Sequence, residues 1–562
     1  MRGGANQSNG AEAMVWMLAG HGVKHIFGLC GDTSLPFYDA LARLDHGMTH
    51  ILTRDERHAG YMADAYARVT GRVGICEGPS GGGATYILPG LVEANESSVP
   101  MLAITTDVAT TSAGRFPLTE LDQEALFRPL TKWNGVLRDA GALPRMVRRA
   151  FREMTTGRPG AAHLSLPFDV QKAPVPEDEI WADGRFGNFP ALRTAPDPTD
   201  VERAVAVLAA ARRPVIICGG GVVLAGAEAA LQRLAEGLGI AVATTVSGQG
   251  SMAETHPLCL GVVGSNGGRP ETRAVVDAAD CVVFVGCRAG SVTTERWRSP
   301  GTDARIIHID SDSSVIGASY RTDAAICADA RLALEVLVDA AALPAFDGAE
   351  ATVAMAWAAK RAHFQPLADS MATPILPERV IATLNRLLPD DAVICADPGT
   401  PCPYFSAYYT IRKPGRHFIT NRAHGALGYA LAASVGAQIG RPNAKVVAAM
   451  GDGSFGMCVG ELETIVRLGL PITVVVFSNS VYGWIKAGQK TGFDARYFSV
   501  DFTRTDHAAV AAAYGVKSWR VEQPGDLEGA LKAAIAHDGP TLVDVIAQPL
   551  QDAAAPVSEW VA

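Results

Sequence analysis

The stretch AKVVAAMGDGSFGMCVGELETIVRLGLPITVVVFSNSVYGWIK, residues 444–486, holds the densest set of residues able to do chemistry. It reads as strand, turn, helix, strand, and a right-handed crossover would return the second strand parallel to the first. Asp452 then falls at the carboxyl end of the first strand and Asn479 at the same end of the second. Two hard oxygen donors meet at one sheet edge beside a main-chain carbonyl. An octahedral Mg²⁺ completed by diphosphate oxygens and water is the ion such a set suits. Gly451 and Gly453 let the backbone turn tightly, and Ser454 is placed to cap a helix whose free N–H groups would face an anion. The plain alternative is an Asp452 that stabilises a turn and an Asn479 that merely ends a strand.

The elements that would hold these donors are legible along the whole chain. Short Val/Ile/Ala-rich runs alternate with segments of helical period, which predicts an α/β fold of doubly wound parallel sheets. Proline-rich stretches around 174–200 and 343–380 divide the chain into segments 8–178, 196–345 and 372–562. The first and third open on amphipathic helices, AEAMVWMLAGHG and PERVIATLNRLL. The middle one opens on a helix followed by RRPVIICGGGV, a strand running into a glycine-rich turn of the kind found at nucleotide sites. No short-period repeat or low-complexity tract is present.

Composition narrows the function classes. The 562 residues are 48% hydrophobic and 19% charged, and at roughly 150 residues per domain each segment can bury a core. Lys plus Arg 49 against Asp plus Glu 58 gives −9, with no offsetting basic run, so neither nucleic acid nor an anionic membrane is an expected partner. The longest apolar runs, such as VVAAM and ITVVVF, are strand-length, and no membrane span is expected. The N-terminus MRGGANQSNGAEAMVWMLAGHGV lacks a sustained apolar core, so no signal peptide is read. Ten cysteines without CxxC spacing suggest neither a disulfide framework nor a zinc site, which fits a reducing cytoplasm.

Between GDG and Asn479 lie residues 454 to 478, 25 in all, ending on a strongly apolar strand. With this spacing the segment resembles the thiamine-diphosphate enzymes, the family of acetohydroxyacid synthase, pyruvate decarboxylase, benzoylformate decarboxylase, oxalyl-CoA decarboxylase and 2-hydroxyacyl-CoA lyase. The resemblance covers nearly the whole chain and implies a pyrimidine-binding, a central and a diphosphate-binding domain. It implies that Asp452, Asn479 and the Val481 carbonyl bind Mg²⁺, with Gly451, Gly453, Ser454, Val481, Tyr482 and Gly483 around the diphosphate. The family's usual Asn-Asn pair is Ser478-Asn479 here. HFITNRAHGALGYALAASVGA, 417–437, is similar to the segment that grips the aminopyrimidine; it contains Gly425, and Leu427 matches the apolar wedge that bends the cofactor. His424 is a candidate for moving protons, although a lone histidine is as readily packed or solvated. ICADPGT resembles the strand and loop of the diphosphate contacts, with Gly399 and Thr400 as candidates.

In this chemistry an acid at the pyrimidine N1′ promotes the imino tautomer that removes the cofactor's C2 proton. TRDERHAGYMADAYARVTG, 53–71, resembles the segment supplying it, with Glu56 on the matching position and Met62, Ala63, Tyr66 and Ala67 as a packed stripe behind. Taken alone, Glu56 between Asp55 and Arg57 would be a solvated helix start. The resemblance further implies that Glu56 of one subunit meets Asp452 of another, in a homodimer or homotetramer. FGLCGDTSLPFYDAL, 27–41, looks like the substrate-side loop, where Asp32 is a candidate for proton transfer or, more simply, a turn former. Other specificity positions depart from the family. TTDVATTSAGRF lacks the decarboxylase histidine pair, and Ile485 replaces its late glutamate. The synthase Phe-Gln-Glu appears as Leu118-Thr119-Glu120, Gly488 stands at its acceptor-selecting Trp, and GPSGGGATY is a few residues longer than usual.

The central segments GGGV, VGCRAG and IIHIDSDSSVIG are similar to those around the synthase FAD, with Gly220, Arg288 and Asp310 as contacts. Relatives keep this domain with ADP or with nothing bound, so FAD, ADP and no ligand stay open. The expected activity is thiamine-diphosphate-dependent C–C cleavage or formation on a 2-oxo acid, with the thiazolium as electron sink. It ends in protonation to an aldehyde or in acetolactate-synthase-like addition to a second carbonyl. A 2-hydroxyacyl-CoA lyase is the alternative. An NAD-linked oxidoreductase needs a GxGxxG turn that GGGVVLAG does not supply. A non-catalytic cofactor-binding protein sits badly with Glu56, Asp452 and Asn479 all being present.

Overall fold

The computed structural model describes residues 7–340 and 343–560. The first six residues, the end of the third expected domain at 562, and residues 341–342 within the second lie outside the described residues. Among those described, short apolar runs build three six-stranded sheets. The first contains β1 (His25–Gly28), β2 (Thr49–Leu52), β3 (Gly74–Gly78), β4 (Met101–Asp107), β5 (Trp133–Val136) and β6 (Ala161–Pro167). The second contains β7 (Pro214–Cys218), β8 (Ala241–Thr244), β9 (Cys259–Val262), β10 (Cys281–Val285), β11 (Arg305–Asp310) and β12 (Ala324–Cys327). The third contains β13 (Val393–Ala396), β14 (Phe418–Thr420), β15 (Val446–Gly451), β16 (Thr473–Ser478), β17 (Lys517–Val521) and β18 (Thr541–Ile546). Every strand pairing is parallel. The α/β class with parallel sheets follows from that pattern, because strands covered by helices on both faces read as unbroken apolar runs. All six residues of β16 are buried.

The first and third sheets share one topology, β2-β1-β3-β4-β6-β5 and β14-β13-β15-β16-β18-β17, whereas the second runs β12-β11-β10-β7-β8-β9. By packing, the chain divides into two units. One holds the residues through Leu192 together with Arg422–Ala426 and Val435–Pro442. The other holds Arg193–Asn421, Leu427–Ser434 and the residues from Asn443 on, so the second and third sheets share a unit. Their joining has a local cause: Val246 and Val262 lie in the same apolar cluster as Ile394, Phe405 and Val475. The loop before Arg269 also approaches so closely that a Cβ on Gly267 would lie 2.4 Å from the Ser406 side chain.

In the first unit the helix Glu56–Thr70 is capped by the Asp55 carboxylate, which accepts the Arg57 N–H at 2.8 Å, and is ended by Gly71 at φ 70°. The expected stripe Met62, Ala63, Tyr66 and Ala67 is buried, but so is most of the rest of the helix. Its Gly60 and Gly90 of the helix Leu88–Glu96 let two backbones touch, since a Cβ on Gly90 would lie 2.6 Å from Gly60.

Candidate active site

In the third sheet β15 and β16 pair in register, Gly451 opposite Phe477, so both strands end on one edge. The next residues are Asp452 and Asn479. Asp452 is buried; its Oδ1 accepts the Gly453 N–H at 2.9 Å, and its Oδ2 accepts those of Asn479 at 2.8 Å and Ser480 at 2.6 Å. Burial pushes its pKa up, and these three N–H groups pull it back. The Asn479 Nδ2 is buried without a hydrogen-bond partner. Among the described residues the Val481 carbonyl accepts no backbone hydrogen bond, although those of Ser480 and Tyr482 do. A carboxylate, a side-chain amide and an unengaged carbonyl are the hard donors Mg²⁺ takes, so these residues fit that ion. Among the described residues no group of three His, Cys, Asp or Glu could hold a metal, which leaves the neutral donors a necessary part of any such site.

Ser454 does not cap the helix as the sequence suggests. The helix Asp452–Cys458 begins two residues earlier with Gly451 at its N-cap, and the Ser454 hydroxyl is used otherwise. It donates to the Asp397 carboxylate and accepts the Gly428 N–H at 2.7 Å. Asp397, which sequence reasoning passed over within ICADPGT, is fully buried at the end of β13. Its Oδ1 accepts the N–H groups of Tyr429 at 2.8 Å and Ala430 at 3.1 Å, at the start of the helix Tyr429–Gly440. Burial pushes Asp397 up to about 6 despite these bonds. One acid thus ties the ends of β13 and β15 to the turn carrying Leu427 and Gly428.

The other expected residues of this edge fall around that knot. Gly399 faces Leu427, with a built Cβ 3.9 Å from its Cδ2, and buried Thr400 precedes the helix Pro401–Tyr408. A Cβ on Gly453 would lie 2.7 Å from the Tyr482 ring, whereas one on Gly451 would meet nothing within 4 Å. Gly483 opens the helix Gly483–Gly492. Ser478, standing for the family's first Asn, donates to Asp544 and meets His507 Nδ1 at 3.0 Å. The edge lies where the strand order reverses between β13 and β15, the crevice in which open α/β sheets place ligands.

The first unit gathers a second group at the carboxyl ends of β1, β2 and β3. Glu56 is 7% exposed, contrary to a solvated helix start, and among the described residues its carboxyl has no side-chain hydrogen-bond partner. Burial chiefly, and then the charges of Asp55 and Glu77, hold it above the ordinary carboxyl range. Glycines make room for it: a Cβ on Gly83 would lie 3.1 Å from its Oε1, and one on Gly78 3.3 Å from its Cγ. Asp32 sits in the 3₁₀ turn Asp32–Ser34, where its Oδ1 accepts the Thr33 N–H at 2.8 Å. Thr33 then meets Ser80 at 3.1 Å and Thr106 at 2.8 Å, and Ser80 meets Thr119 at 2.7 Å. The Asp32 loop, the glycine-rich loop and the Leu118-Thr119-Glu120 segment are therefore laced together by hydroxyls.

Two acids of this unit went unnoticed in the sequence. Glu77 is buried and accepts the Tyr38 hydroxyl and His50 Nε2, the latter at 3.2 Å. A charge inside the otherwise apolar strand GICEG was its signal. Glu93 accepts the N–H groups of Ala423 at 3.1 Å and His424 at 2.8 Å, and pairs at 3.0 Å with Arg68, which also binds Asp64. The His424 side chain and Gly425, at φ 75°, are exposed on the loop so anchored.

In the second sheet Gly220 follows β7, Arg288 follows β10 and Asp310 ends β11, all at one edge of adjacent strands. The two glycine turns touch through their backbones, since a Cβ on Gly221 would lie 2.7 Å from the Gly286 Cα.

Comparison with known proteins agrees with this arrangement. Residues 8–126 match the N-terminal TPP binding domain of thiamine pyrophosphate enzymes, 201–337 their central domain and 397–545 their C-terminal TPP binding domain. A probable acetolactate synthase large subunit of Methanococcus aeolicus is 34% identical over 559 residues, spanning 96% of this chain and 92% of its own. One of Methanocaldococcus jannaschii is 34% identical over 551 residues with the same shares, 96% and 92%. The acetolactate synthase isozyme 3 large subunit of Escherichia coli is 31% identical over 532 residues, 94% of this chain and 92% of its own. The chain belongs to the thiamine pyrophosphate enzyme family, and its terminal segments are that family's cofactor-binding domains. Among the described residues no helix is long and apolar enough to cross a membrane.

Proposed function

We propose that this chain catalyses thiamine-diphosphate-dependent carboligation of a 2-oxo acid, with decarboxylation of the donor, in the manner of an acetolactate synthase. The end-to-end likeness to acetolactate synthase large subunits, 34% over 96% of the chain, carries this reading. The same matches leave the 2-hydroxyacyl-CoA lyase reading without support. When bound, thiamine diphosphate supplies a nucleophilic carbon and an electron sink for loss of CO₂.

The chain's own residues do the rest. Glu56, its pKa raised by burial, would place its carboxyl at the pyrimidine N1′. Asp452, the Asn479 amide and the Val481 carbonyl hold Mg²⁺, and the Gly399-Thr400, Gly453-Ser454 and Tyr482-Gly483 turns surround the diphosphate. Leu427, beside Gly399, would support the cofactor. Asp32 moves the proton on the substrate side, with His424 as the other candidate base. At the central strand ends Gly220, Arg288 and Asp310 would contact FAD if the site holds it, ADP or no ligand being the alternatives; a purified protein without a flavin spectrum removes FAD. The working form is a homodimer or homotetramer in the cytoplasm with active sites at subunit interfaces, and the domains run 8–178, 196–345 and 372–562.

Proton NMR of the protein with thiamine diphosphate, Mg²⁺ and pyruvate tests the reading. Acetolactate is expected. Acetaldehyde would make the enzyme a decarboxylase instead, and unchanged pyruvate with the cofactor bound would reject pyruvate as donor. Glu56→Gln is expected to lower turnover by roughly 10²- to 10⁴-fold while the cofactor still binds. Full turnover in Asp32→Asn, with Glu56→Gln inactive, would remove Asp32 from proton transfer.

A further inference from the structure

The helix Pro377–Leu387 leads into β13 and Pro401–Tyr408 runs back from it, so Asn385 and Tyr408 lie toward the amino ends of the strands, away from Asp452 and Asn479. Here a cavity of about 800 Å³ opens between these helices and the helix Ala349–Ala368. Its lining includes Glu254, Trp357, Lys360, Phe364, Asn385 and Tyr408. Phe364 and Tyr408 stack at 4.4 Å and 16°, forming a flat aromatic wall.

The polar groups here are unequally spent. Lys360 is 6% exposed, and its ammonium rests 3.9 Å from the centre of the Trp357 ring. Among the described residues its ammonium makes no hydrogen bond, although the Glu254 carboxylate acts on it electrostatically, and the Tyr408 hydroxyl is buried without a partner. The acceptors, by contrast, are at least partly engaged. Glu254 Oε2 accepts the Ile411 N–H at 3.0 Å, and Asn385 exchanges bonds with Tyr408 O at 2.8 Å and Thr410 N at 2.9 Å. Glu350 and Arg361 line the mouth but are exposed, where solvent screens them and their opposite charges offset. What the cavity offers is therefore hydrogen-bond donors, an ammonium and a phenol, beside aromatic faces. A buried donor left unmade is costly, and an acceptor ligand would recover that cost.

We propose that this cavity is a second small-molecule site that binds an anion, carboxylate or phosphate, bearing an apolar body, with the anion on Lys360 and Tyr408 and the body against Trp357 and Phe364. Its volume and its few convergent polar groups on apolar walls suit such a ligand. Burial lowers the Lys360 pKa and Glu254 partly restores it; a bound anion favours the charged form further. The site stands apart from the carboligase reading, because its ligand makes no contact with the cofactor edge.

Calorimetric titration of the full-length protein with sodium benzoate and with inorganic phosphate, without any carbonyl substrate, tests it. Saturable binding of either probe is expected, weakened roughly tenfold or more in Lys360→Gln and in Tyr408→Phe. Binding of benzoate alone assigns a carboxylate ligand, and binding of phosphate alone assigns a phosphate. Lys360→Gln removes the charge that faces the buried Glu254 carboxylate and is expected to lower the melting temperature; Tyr408→Phe, which keeps that pair, carries the test if the lysine variant does not fold. No binding of either probe, or binding unchanged in both variants, overturns the proposal.

Discussion

Glu56, Glu77, Glu378 and Asp397 are acids at element ends or inside strands, and burial is the largest cause holding each above the ordinary carboxyl range. Glu378, in the first turn of the helix Pro377–Leu387, is pushed up to about 7. Between the ordinary carboxyl range and about 7 the folded protein keeps this proton while the unfolded chain loses it. The folded state then binds more protons, so the stability from this group is full at low pH and is lost as pH rises through that window. Glu378→Gln removes the penalty. By calorimetry it should be more stable than wild type at pH 8, by on the order of 3 kcal/mol, and equal to it at pH 4; equal stability at both would refute the shift. Asp452 and Asn479 could be placed from sequence because each directly follows a strongly apolar strand. Glu56 could not be placed as buried that way, because its neighbours Asp55 and Arg57 are polar and the glycines that enclose it lie more than twenty residues on.

At the scale of elements, Asp397 joins the end of β13, the helix Tyr429–Gly440 and the helix Asp452–Cys458. Asp397→Ala leaves two backbone N–H groups and the Ser454 hydroxyl without their acceptor in a buried place, a loss of on the order of 3–5 kcal/mol. The expected outcome is a lowered melting temperature together with at least a roughly tenfold weaker binding of thiamine diphosphate, read by titration. Asp397→Asn, which keeps one acceptor oxygen, should recover part of both. Affinity unchanged in Asp397→Ala would show that the diphosphate turns hold their shape without this knot. The parallel strands were legible here, since continuous apolar runs admit little else. The partner of Ser454 was not, because local sequence suggests a helix cap for any serine after Gly-Asp-Gly.

At the scale of the molecule, the first and third sheets have the same strand order although no sequence repeat announces it. Handedness and crossover rules repeat a topology with different side chains. On the first unit Phe116 is 96% exposed and Leu118 84% exposed, costly apolar surface for a lone subunit. If the subunits pair as proposed, light scattering should show at least a dimer, and Phe116→Asp should shift it toward monomer with a parallel loss of activity; a monomeric active wild type would reject interface sites. The sequence by itself determined the α/β class, the strand ends that carry Asp452 and Asn479, and the family, because apolar periodicity and short motifs are local properties of the chain. Only the tertiary structure decided that Asp397 is a buried acid, that Ser454 serves Asp397, and that the second and third sheets pack into one unit. Desolvation and hydrogen-bond partners come from residues far apart in the chain, and no local pattern encodes them.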